Sequence, residues 1–597
     1  MIVPMKKYSF LIYHKEFDEF LESIRKIGVL HIIEKKDELD NKIKDKIKFT
    51  QQIDSIIKFL ESRNIVQENA TIEKDAKYII EDIISKQNES ESLKQQLTII
   101  HKEIRLIEPW GQFSNNLINK LKEKNIQLKF YSCSEKSFKK EWLDEYTIEI
   151  IDKIGATIYF VAIFTSNSPV DFPLEEIKLP SRTLEELTGE KEKIEKTLEE
   201  ISTIFDDYAK KYIPLLKKIK LTINSETEFD TVVWNTIEEA ENKIKIIEGW
   251  VPEPKEEELL QYLANKEIVY LSNKPIPDDK VPILLKNNKF SKLFEPIGKL
   301  FSLPSYQELD LTAFFAPFFM MFFGFCLGDA AYGLLFVIGA TIAKFKLKKE
   351  FKPILTLIQL LGVATIIFGT LSGTFFGIDL IKERYDFLGN LNNFFLDANK
   401  MFYLSFIVGG IQVLWGMIVK AMNITRQFGF PFTISTIGWI FLLVSMTAIM
   451  LLQSNGIIAD ASILIYICLA ISGVMILFFN DPKAKIYARV GKGIWDIYTT
   501  VTGVFGDLLS YIRLFALGIS SAILGNVVNQ IATQFSNIPF AGPVVFIVIL
   551  LVGHIANIAI SSLGSFVHPM RLTFVEFYKN AGFTGGGLEY KPFSNKR

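Results

Sequence analysis

Two different patterns of apolar residues divide the chain near residue 300. Before that point, short apolar segments alternate with stretches rich in Lys, Glu and Asp, whereas long apolar runs dominate from Leu311 onward. Short patterned segments are typical of a soluble α+β protein, and runs of about 20 apolar residues are typical of membrane-spanning helices. We therefore predict a cytoplasmic domain at residues 1–300 and a transmembrane, ion-translocating domain at residues 301–597.

The soluble half combines predicted strands with two heptad runs. Its predicted elements are strands at 6–13, 29–34, 127–132, 157–164, 243–251 and 267–271 and helices at 15–27 and 255–264. The first heptad run is Leu93, Leu97, Ile100, Ile104 and Ile107, and the second is Ile194, Leu198, Ile201, Phe205, Tyr208 and Tyr212. Such spacing is typical of a coiled-coil seam, although two unrelated amphipathic helices on a core would show it as well.

We predict a dumbbell in which an antiparallel coiled coil bridges two α/β lobes. The predicted parts are a proximal lobe at 1–36 and 220–300, a coiled coil at 37–108 and 180–219, and a distal lobe at 109–179. A rod of this kind spans the distance between partners, and nothing in it indicates catalysis.

The membrane half is predicted to be all-α with about eight helices. The candidate spans are 312–327, 328–344, 353–376, 400–421, 431–453, 461–479, 494–533 and 541–577. The first two meet at Gly328-Asp329 and could be one helix, so the count is seven or eight. Lysine-rich links alternate with uncharged links, which favours eight spans with both termini in the cytoplasm. The last two spans are longer than a bilayer requires, so they are expected to tilt or to project beyond it.

Composition excludes several classes of protein. The net charge of −1 gives no argument for nucleic acid, and the three cysteines have no metal-ligand or disulfide spacing. No apolar core of a signal peptide follows the N-terminal lysines. No phosphate-binding glycine motif is present, so another chain would have to bind any ATP. We expect neither a cofactor nor a metal.

Two arginines, Arg513 and Arg571, bracket the last helical pair. Between Leu514 and Met570 there is no Asp, Glu, Lys or Arg. A charge at the bilayer centre costs at least about 2.5–3.5 kcal/mol, so an intramembrane charge indicates function. For both arginines, the competing interpretation is a side chain that snorkels to the membrane interface. This alternative is stronger for Arg571, which is near the cytoplasmic end of its span, than for Arg513, which lies about 18 residues into its span.

Further polar residues share helical faces with these arginines and are our candidates for lining an ion path. They are Asp507, Ser510, Ser520, Ser521, Asn526, Asn529, Gln530, His554, Asn557, Ser561, Ser565, His568 and Glu576. Steps of three and four residues keep such side chains on one face of a helix. For the Ser and Asn residues, the alternative is helix–helix hydrogen bonding. Asp329 is better explained as a helix N-cap than as a functional carboxylate.

Four segments resemble one known family. They are Asp507-Leu-Leu-Ser-Tyr-Ile-Arg513-Leu-Phe-Ala-Leu517, the stretch from Leu303 to Phe319, Glu248-Gly-Trp-Val-Pro252, and the C-terminal Val567–Leu572 with Phe583–Phe593. The chain resembles subunit a (subunit I in prokaryotes), the membrane stator of V-type and archaeal-type rotary ATPases, over essentially its whole length. The resemblance implies that a rotor ring turns against the last two spans, and that Arg513 attracts an ionised rotor carboxylate and promotes ion release. Arg571 would be the second arginine.

The sequence departs from the eukaryotic form of this family at two positions. Ser561 replaces a glutamate ten residues before the second arginine, and Ser521 replaces a histidine eight residues after the first. A glutamate-lined proton path therefore cannot be carried over, and the transported ion, proton or sodium, stays open.

The resemblance further implies partners and a location. The partners are rotor-ring subunits, peripheral stalks, a central-stalk adaptor, the soluble ATPase sector indirectly and the lipid bilayer, with no nucleic acid. The expected location is a prokaryotic plasma membrane. Whether this chain is itself an enzyme is left open, because its complex hydrolyses or synthesises ATP on other subunits. The competing hypotheses are a secondary transporter for an anionic substrate, although no internal repeat supports it, and a purely structural membrane tether, which leaves the arginines unexplained.

Overall fold

The computed structural model describes residues 1–595 apart from 37, 67–75, 166–171, 181, 242, 267, 380–397, 458–460 and 537–538. These residues form two compact units. The first is Met1–Ile33 with Ile237–Ser594, and the second is Glu34–Thr236 with the chain end. The chain therefore leaves the first unit after its N-terminal strands and returns to it before the membrane helices.

The elements alternate between strands and helices up to residue 301 and are mainly helical after it. The strands are β1 (Met5–Tyr13), β2 (His31–Ile32), β3 (Ile126–Ser134), β4 (Thr147–Ile154), β5 (Thr157–Thr165), β6 (Ile237–Glu239), β7 (Ile244–Pro252), β8 (Val269–Asn273), β9 (Pro282–Ile283), β10 (Thr374–Phe375), β11 (Ile378–Asp379) and β12 (Leu588–Glu589). The helices before residue 302 are α1 (Phe17–Ile27), α2 (Asn41–Glu61), α3 (Ala76–Ile107), α4 (Asn115–Glu123), α5 (Trp142–Glu145), α6 (Leu184–Lys211), α7 (Ile213–Trp234), α8 (Glu256–Lys266), α9 (Lys289–Lys292) and α10 (Glu295–Phe301).

The apolar region contains the remaining helices. They are α11 (Thr312–Leu327), α12 (Ala330–Lys346), α13 (Lys352–Ser372), α14 (Ala398–Phe428), α15 (Ile434–Ser454), α16 (Ser462–Phe478), α17 (Ile486–Ser510), α18 (Ile512–Phe535), α19 (Gly542–Arg571) and α20 (Tyr578–Asn580). A mixed α/β region is thus followed by a helical region, as the sequence predicts.

The first unit contains an antiparallel sheet in the order β2-β7-β1-β8, with β6 also on β7. Strands β1, β7 and β8 lie where the sequence predicts them, whereas β2 is limited to His31–Ile32. Gly249 faces β2 so closely that a Cβ there would lie 2.6 Å from a Leu30 methyl group and 2.8 Å from the His31 carbonyl oxygen. The next residue, Trp250, is 2% exposed. The Glu248–Pro252 motif is therefore required by packing in the sheet.

The second unit pairs long helices beside a small sheet. Helix α2 packs against α7, and α3 packs against α6, where Ile100 and Ile107 form one cluster with Leu187 and Ile194. The sheet has the order β3-β5-β4. The sequence pattern missed β4, because all but one of its residues are exposed and an irregularity between Ile150 and Asp152 breaks the alternation.

Each predicted span contains a helix, but the helices differ in length. Within the described ranges, five segments are long and apolar enough to cross a membrane: Lys349–Ser372, Asn399–Phe428, Ile434–Ser454, Ile486–Phe535 and Gly542–Asn580. Two shorter apolar helices are Thr312–Leu327 and Ser462–Phe478. The number of membrane crossings and their orientation stay predictions.

The chain breaks between α11 and α12, so one continuous helix at Gly328-Asp329 is excluded. Gly328 ends α11 at a φ of +54°. The Asp329 Oδ1 then accepts hydrogen bonds from the backbone N–H groups of Ala331 (2.9 Å) and Tyr332 (3.2 Å). The predicted N-cap is confirmed.

The predicted span 494–533 lies within the membrane-capable segment Ile486–Phe535, which Tyr511 divides into α17 and α18. The Tyr511 N–H bonds to the carbonyl oxygen of Leu508, three residues back, which tightens the backbone. Its buried hydroxyl donates to Gln412 Oε1 at 2.7 Å, and Gly409 leaves space for the ring. Tertiary packing therefore sets this break, and Arg513 follows it directly.

The last apolar segment also changes form after Arg571. Residues Leu572–Phe577 form a π-helix. Pro569 lies inside α19 and has no N–H, so it interrupts the normal helical hydrogen bonds. The Thr573 hydroxyl donates to the Pro569 carbonyl at 2.9 Å. This wider turn carries Glu576, which is 2% exposed.

Candidate functional site

Arg513 lies in the first turn of α18, with part of its guanidinium enclosed. Its Nη1 is buried and has no hydrogen-bond partner among the described residues. Its charge acts on Cys326, His568 and Glu576. A buried donor without an acceptor costs about 1–3 kcal/mol, and more when it is charged. An anionic partner near Arg513 would therefore be strongly favoured.

The charge of Arg513 acts on Glu576, a buried carboxyl group on the π-helix. The Ser510 hydroxyl is in hydrogen-bonding contact with the Glu576 carboxyl. The other carboxyl oxygen, Oε2, is buried and has no partner among the described residues. Arg513 and Glu576 thus each present one buried polar atom that is free to interact with a partner or an ion.

Asp507 lies one turn before Ser510 and connects α17 to α20. Its carboxylate accepts from Lys579 Nζ at 3.2 Å and from Asn580 Nδ2 at 2.8 Å. The Asp507 side chain is 9% exposed, whereas that of Lys579 is 55% exposed. The ion pair therefore joins a buried carboxylate to a solvent-accessible ammonium group.

His568 lies within electrostatic range of both arginines. Its Nδ1 is buried without a described partner. The two arginines differ in environment, because the Arg571 side chain is exposed and that of Arg513 is half-buried. Ser565 is buried one turn before His568. The predicted face of α19 therefore leads from buried positions to an exposed guanidinium.

A second polar cluster, the outer network, joins side chains of α12, α18 and α19. His554 Nδ1 is 2.7 Å from the Tyr332 hydroxyl, and His554 Nε2 is 3.0 Å from Asn529 Oδ1. Asn557 Nδ2 donates to the Tyr332 hydroxyl at 2.9 Å, and Ser561 Oγ donates to Asn557 Oδ1 at 2.9 Å. These five side chains form one connected set.

The hydrogen-bond directions in the outer network are fixed by backbone carbonyls. Asn529 Nδ2 donates to the Phe376 carbonyl at 2.7 Å, so the Asn529 amide oxygen must accept from His554 Nε2. A neutral His554 then accepts at Nδ1 from the Tyr332 hydroxyl. Asn557 also donates to the Ser521 carbonyl at 3.3 Å, whereas the Ser521 hydroxyl is buried without a described partner.

The remaining candidates lie outside these clusters. Asn526 accepts from Gln530 at 3.2 Å, and both residues are exposed. Ser520 is exposed on the same helix. These three side chains lie on the outer surface of the chain.

The sequence pattern missed several residues of the two clusters. Tyr332 belongs to α12, far from the last two spans, and only the tertiary fold brings it to His554. Lys579 and Asn580 follow the π-helix, where regular helical spacing no longer applies. In the sequence, the one signal that could have pointed to them was Pro569, which interrupts the helix before them.

Within the described part of the chain, no group of three or more His, Cys, Asp or Glu side chains could hold a metal ion. The site consists of charged and hydrogen-bonding groups on membrane-capable helices and includes the buried Arg513 Nη1. Together with the five membrane-capable segments of the described residues, it fits a polytopic membrane protein.

Known proteins with similar sequences agree on one family. Residues 163–356 match the V-type ATPase 116kDa subunit family. The V-type ATP synthase subunit I of Borreliella burgdorferi is 28% identical over the full length of both chains. The A-type ATP synthase subunit I of Methanocaldococcus jannaschii is 32% identical over 59% of this chain and 55% of its own. The solved cytoplasmic N-terminal domain of a subunit I, a homologue of subunit a of V-ATPase, covers 45% of this chain at 11% identity and a TM-score of 0.22.

These matches confirm the resemblance predicted from the sequence. The chain is similar to the V-type ATPase subunit a/subunit I family.

Proposed function

We propose that this chain is the membrane stator of a V/A-type rotary ATPase and translocates protons or sodium. ATP hydrolysis or synthesis takes place on other subunits of the complex. Arg513 meets, in turn, the membrane carboxylate of each rotor subunit. The proposal rests on its family and, above all, on the buried Arg513 Nη1 that has no partner among the described residues.

The surroundings of Arg513 suit a partner that arrives within the membrane. In the most apolar window of the segment Gly542–Asn580, only 6% is buried inside the chain. The exposed large apolar side chains on α19 include Val544, Ile547, Val548, Leu551, Val552, Ile555, Ile560, Leu563 and Val567. An apolar face of this size requires lipid or a second apolar surface. A rotor helix with one carboxylate would cover part of the face and pair with Arg513.

The charge of Arg513 determines what happens to the arriving carboxylate. An opposite charge close by favours the ionised form, so the carboxylate releases its ion beside the arginine. When the carboxylate moves on, it loses this support and takes up another ion. A guanidinium suits the role because it does not lose its proton under physiological conditions. The fixed positive charge also opposes direct leakage of cations.

The two polar clusters supply the separate paths that this cycle needs. The inner path contains Asp507, Ser510 and Glu576, and the outer path contains the outer network. Between them, Leu517 approaches Gly564, whose Cβ position would be 3.9 Å from a Leu517 methyl group. This apolar layer would keep ions from crossing without the rotor. Oxygen-rich hydroxyl and amide groups could hydrate either ion, so the geometry does not select between protons and sodium.

The two predicted lobes would connect the membrane domain to the rest of the complex. We assign the lobe containing β3, β4 and β5 to peripheral-stalk binding and the lobe containing β1 and β7 to the central-stalk adaptor. We place both termini on the cytoplasmic side of a prokaryotic plasma membrane, because lysine-rich links alternate with uncharged ones.

The test is ATP-driven ion uptake by proteoliposomes that contain the whole complex. Arg513→Ala should assemble normally and abolish uptake. Arg489→Ala is the matched control, since it also removes a guanidinium from this region but one that binds only the Pro482 and Ala484 carbonyls. Arg571→Ala should reduce uptake. Normal uptake by the assembled Arg513→Ala complex would refute the proposal.

A further inference from the structure

A polar cavity of about 420 Å³ lies between α14, α15, α17 and the short helix α20, which contributes Lys579 and Asn580. Its charged lining residues are Lys420, Asp496 and Lys579, and its other polar walls include Asn480, Thr436, Thr499 and Asn580. Apolar helices packed only for stability would not enclose so many polar groups, because each such group needs a hydrogen-bond partner or water. The sequence pattern gave no indication of this cavity.

The cavity ends against the Lys579–Asp507 ion pair. Lys579, Asn580 and Gly503 line the cavity, and Asp507 lies behind them, bonded to both Lys579 and Asn580. Gly503 leaves space for the lysine, because a Cβ there would lie 3.2 Å from Lys579 Nζ. The ammonium group thus lies between the cavity and the buried carboxylate.

A short series of contacts continues from Asp507 to the arginine. Asn580 donates both to the Asp507 carboxylate and to the Glu576 carbonyl oxygen. The Glu576 carboxyl contacts Ser510, and its charge interacts with those of Asp507 and Arg513. From the cavity to Glu576, each step is therefore a contact between polar groups of this chain, and from Glu576 to Arg513 the interaction is electrostatic.

We propose that this cavity is the inner access route for the transported cation, and that Lys579 is a gate that competes with the cation for Asp507. An arriving cation displaces the ammonium group from the carboxylate and then moves to the unpartnered oxygen of Glu576. Lys579 returns to Asp507 behind it and prevents its return. This inference rests on the proposed function and adds to it the route and a gating residue.

The competition makes a prediction that a purely structural ion pair does not make. In the whole reconstituted complex, Lys579→Met should let the cation bind Asp507 more tightly, so half-saturation of uptake should occur at a cation concentration about three- to tenfold lower. Maximal uptake should fall as well, because release becomes slower. Asp507→Asn should raise the half-saturating concentration by a similar factor, whereas Lys579→Arg should stay near the wild-type value. Protons and sodium are varied separately on the side that carries the ATPase sector.

The cavity itself is tested with a matched pair of substitutions on α15. Thr436 lines the cavity, whereas Thr447 is exposed elsewhere on the same helix. Thr436→Trp should lower maximal uptake at least about fivefold, and Thr447→Trp should leave it unchanged. Normal uptake by an assembled Thr436→Trp complex, while Arg513→Ala abolishes uptake, would overturn the route but not the proposed function. If Thr436→Trp does not assemble, the half-saturating concentrations of Lys579→Met and Asp507→Asn still test the proposal. Shifts of the half-saturating concentration in the same direction for Lys579→Met and Asp507→Asn would show that the pair only ties the chain end to α17.

Discussion

Replacement of Asp329 should destabilise the membrane domain more than loss of a helix cap alone. Asp329 is 1% exposed. Its carboxylate accepts from two N–H groups at the start of α12 and from the N–H groups of Phe376 (3.1 Å) and Gly377 (2.8 Å). Loss of an N-cap costs about 1 kcal/mol. Each buried N–H group left unpaired adds about 1–3 kcal/mol. For Asp329→Ala we expect a total of roughly 3–7 kcal/mol.

Asp329→Asn separates the contributions. An amide oxygen can keep the three bonds that Oδ1 accepts, but the amide nitrogen cannot accept from Gly377. This variant should therefore lose less than half as much stability as Asp329→Ala. The assay is thermal unfolding in detergent, followed by tryptophan fluorescence, with Asp278→Ala at an exposed position as control. We expect a midpoint about 5 °C or more below wild type for Asp329→Ala. Equal midpoints for Asp329→Ala and Asp278→Ala would refute the reasoning.

Three further perturbations test other parts of the structure. Gly249→Val should lower the unfolding free energy by at least about 2 kcal/mol, because its Cβ would overlap Leu30 and the His31 carbonyl. A thermal midpoint equal to that of wild type would contradict the close packing at Gly249. Burial, and then the Asp310 carboxylate, raises the pKa of Glu295, so stability should fall as pH increases from the ordinary glutamate pKa through the raised one. Glu295→Gln should remove that slope from a pH series of unfolding measurements, and an unchanged slope would contradict the assignment. Tyr332→Phe leaves His554 Nδ1 and Asn557 Nδ2 without the hydroxyl that they share. The variant should therefore lower the unfolding free energy by about 1–3 kcal/mol. A loss under about 0.5 kcal/mol would show that the outer network is not a connected set.

Apolar periodicity predicted most helices, because it reports directly which face of a helix is buried. The heptad run that ends at Ile107 lies in α3, and the run through Ile201 lies in α6. The Asp329 cap was predictable because an N-cap is a local interaction. The pattern could not show that Tyr511 breaks a helix, since its partner Gln412 lies 99 residues away.

The site was predictable one helix at a time. Spacing placed His554, Asn557 and Ser561 on one face, and the structure joins them. It could not identify Tyr332 as their common partner, because periodicity does not show which helices become neighbours. Lys579 was missed for a second reason, since it follows a π-helix and helical spacing does not extend through that turn.

The central claim is that the surface around Arg513 meets a rotor carboxylate, and a cross-link tests it most directly. Ala516 is exposed one turn after Arg513, and the three native cysteines are buried. In the assembled complex, Ala516→Cys should form a disulfide with a cysteine placed beside the rotor carboxylate and should stop ATP-driven rotation until it is reduced. Ile463→Cys, on the exposed face of α16, should form none. A fully active complex in which Ala516→Cys does not cross-link to the rotor would contradict the account.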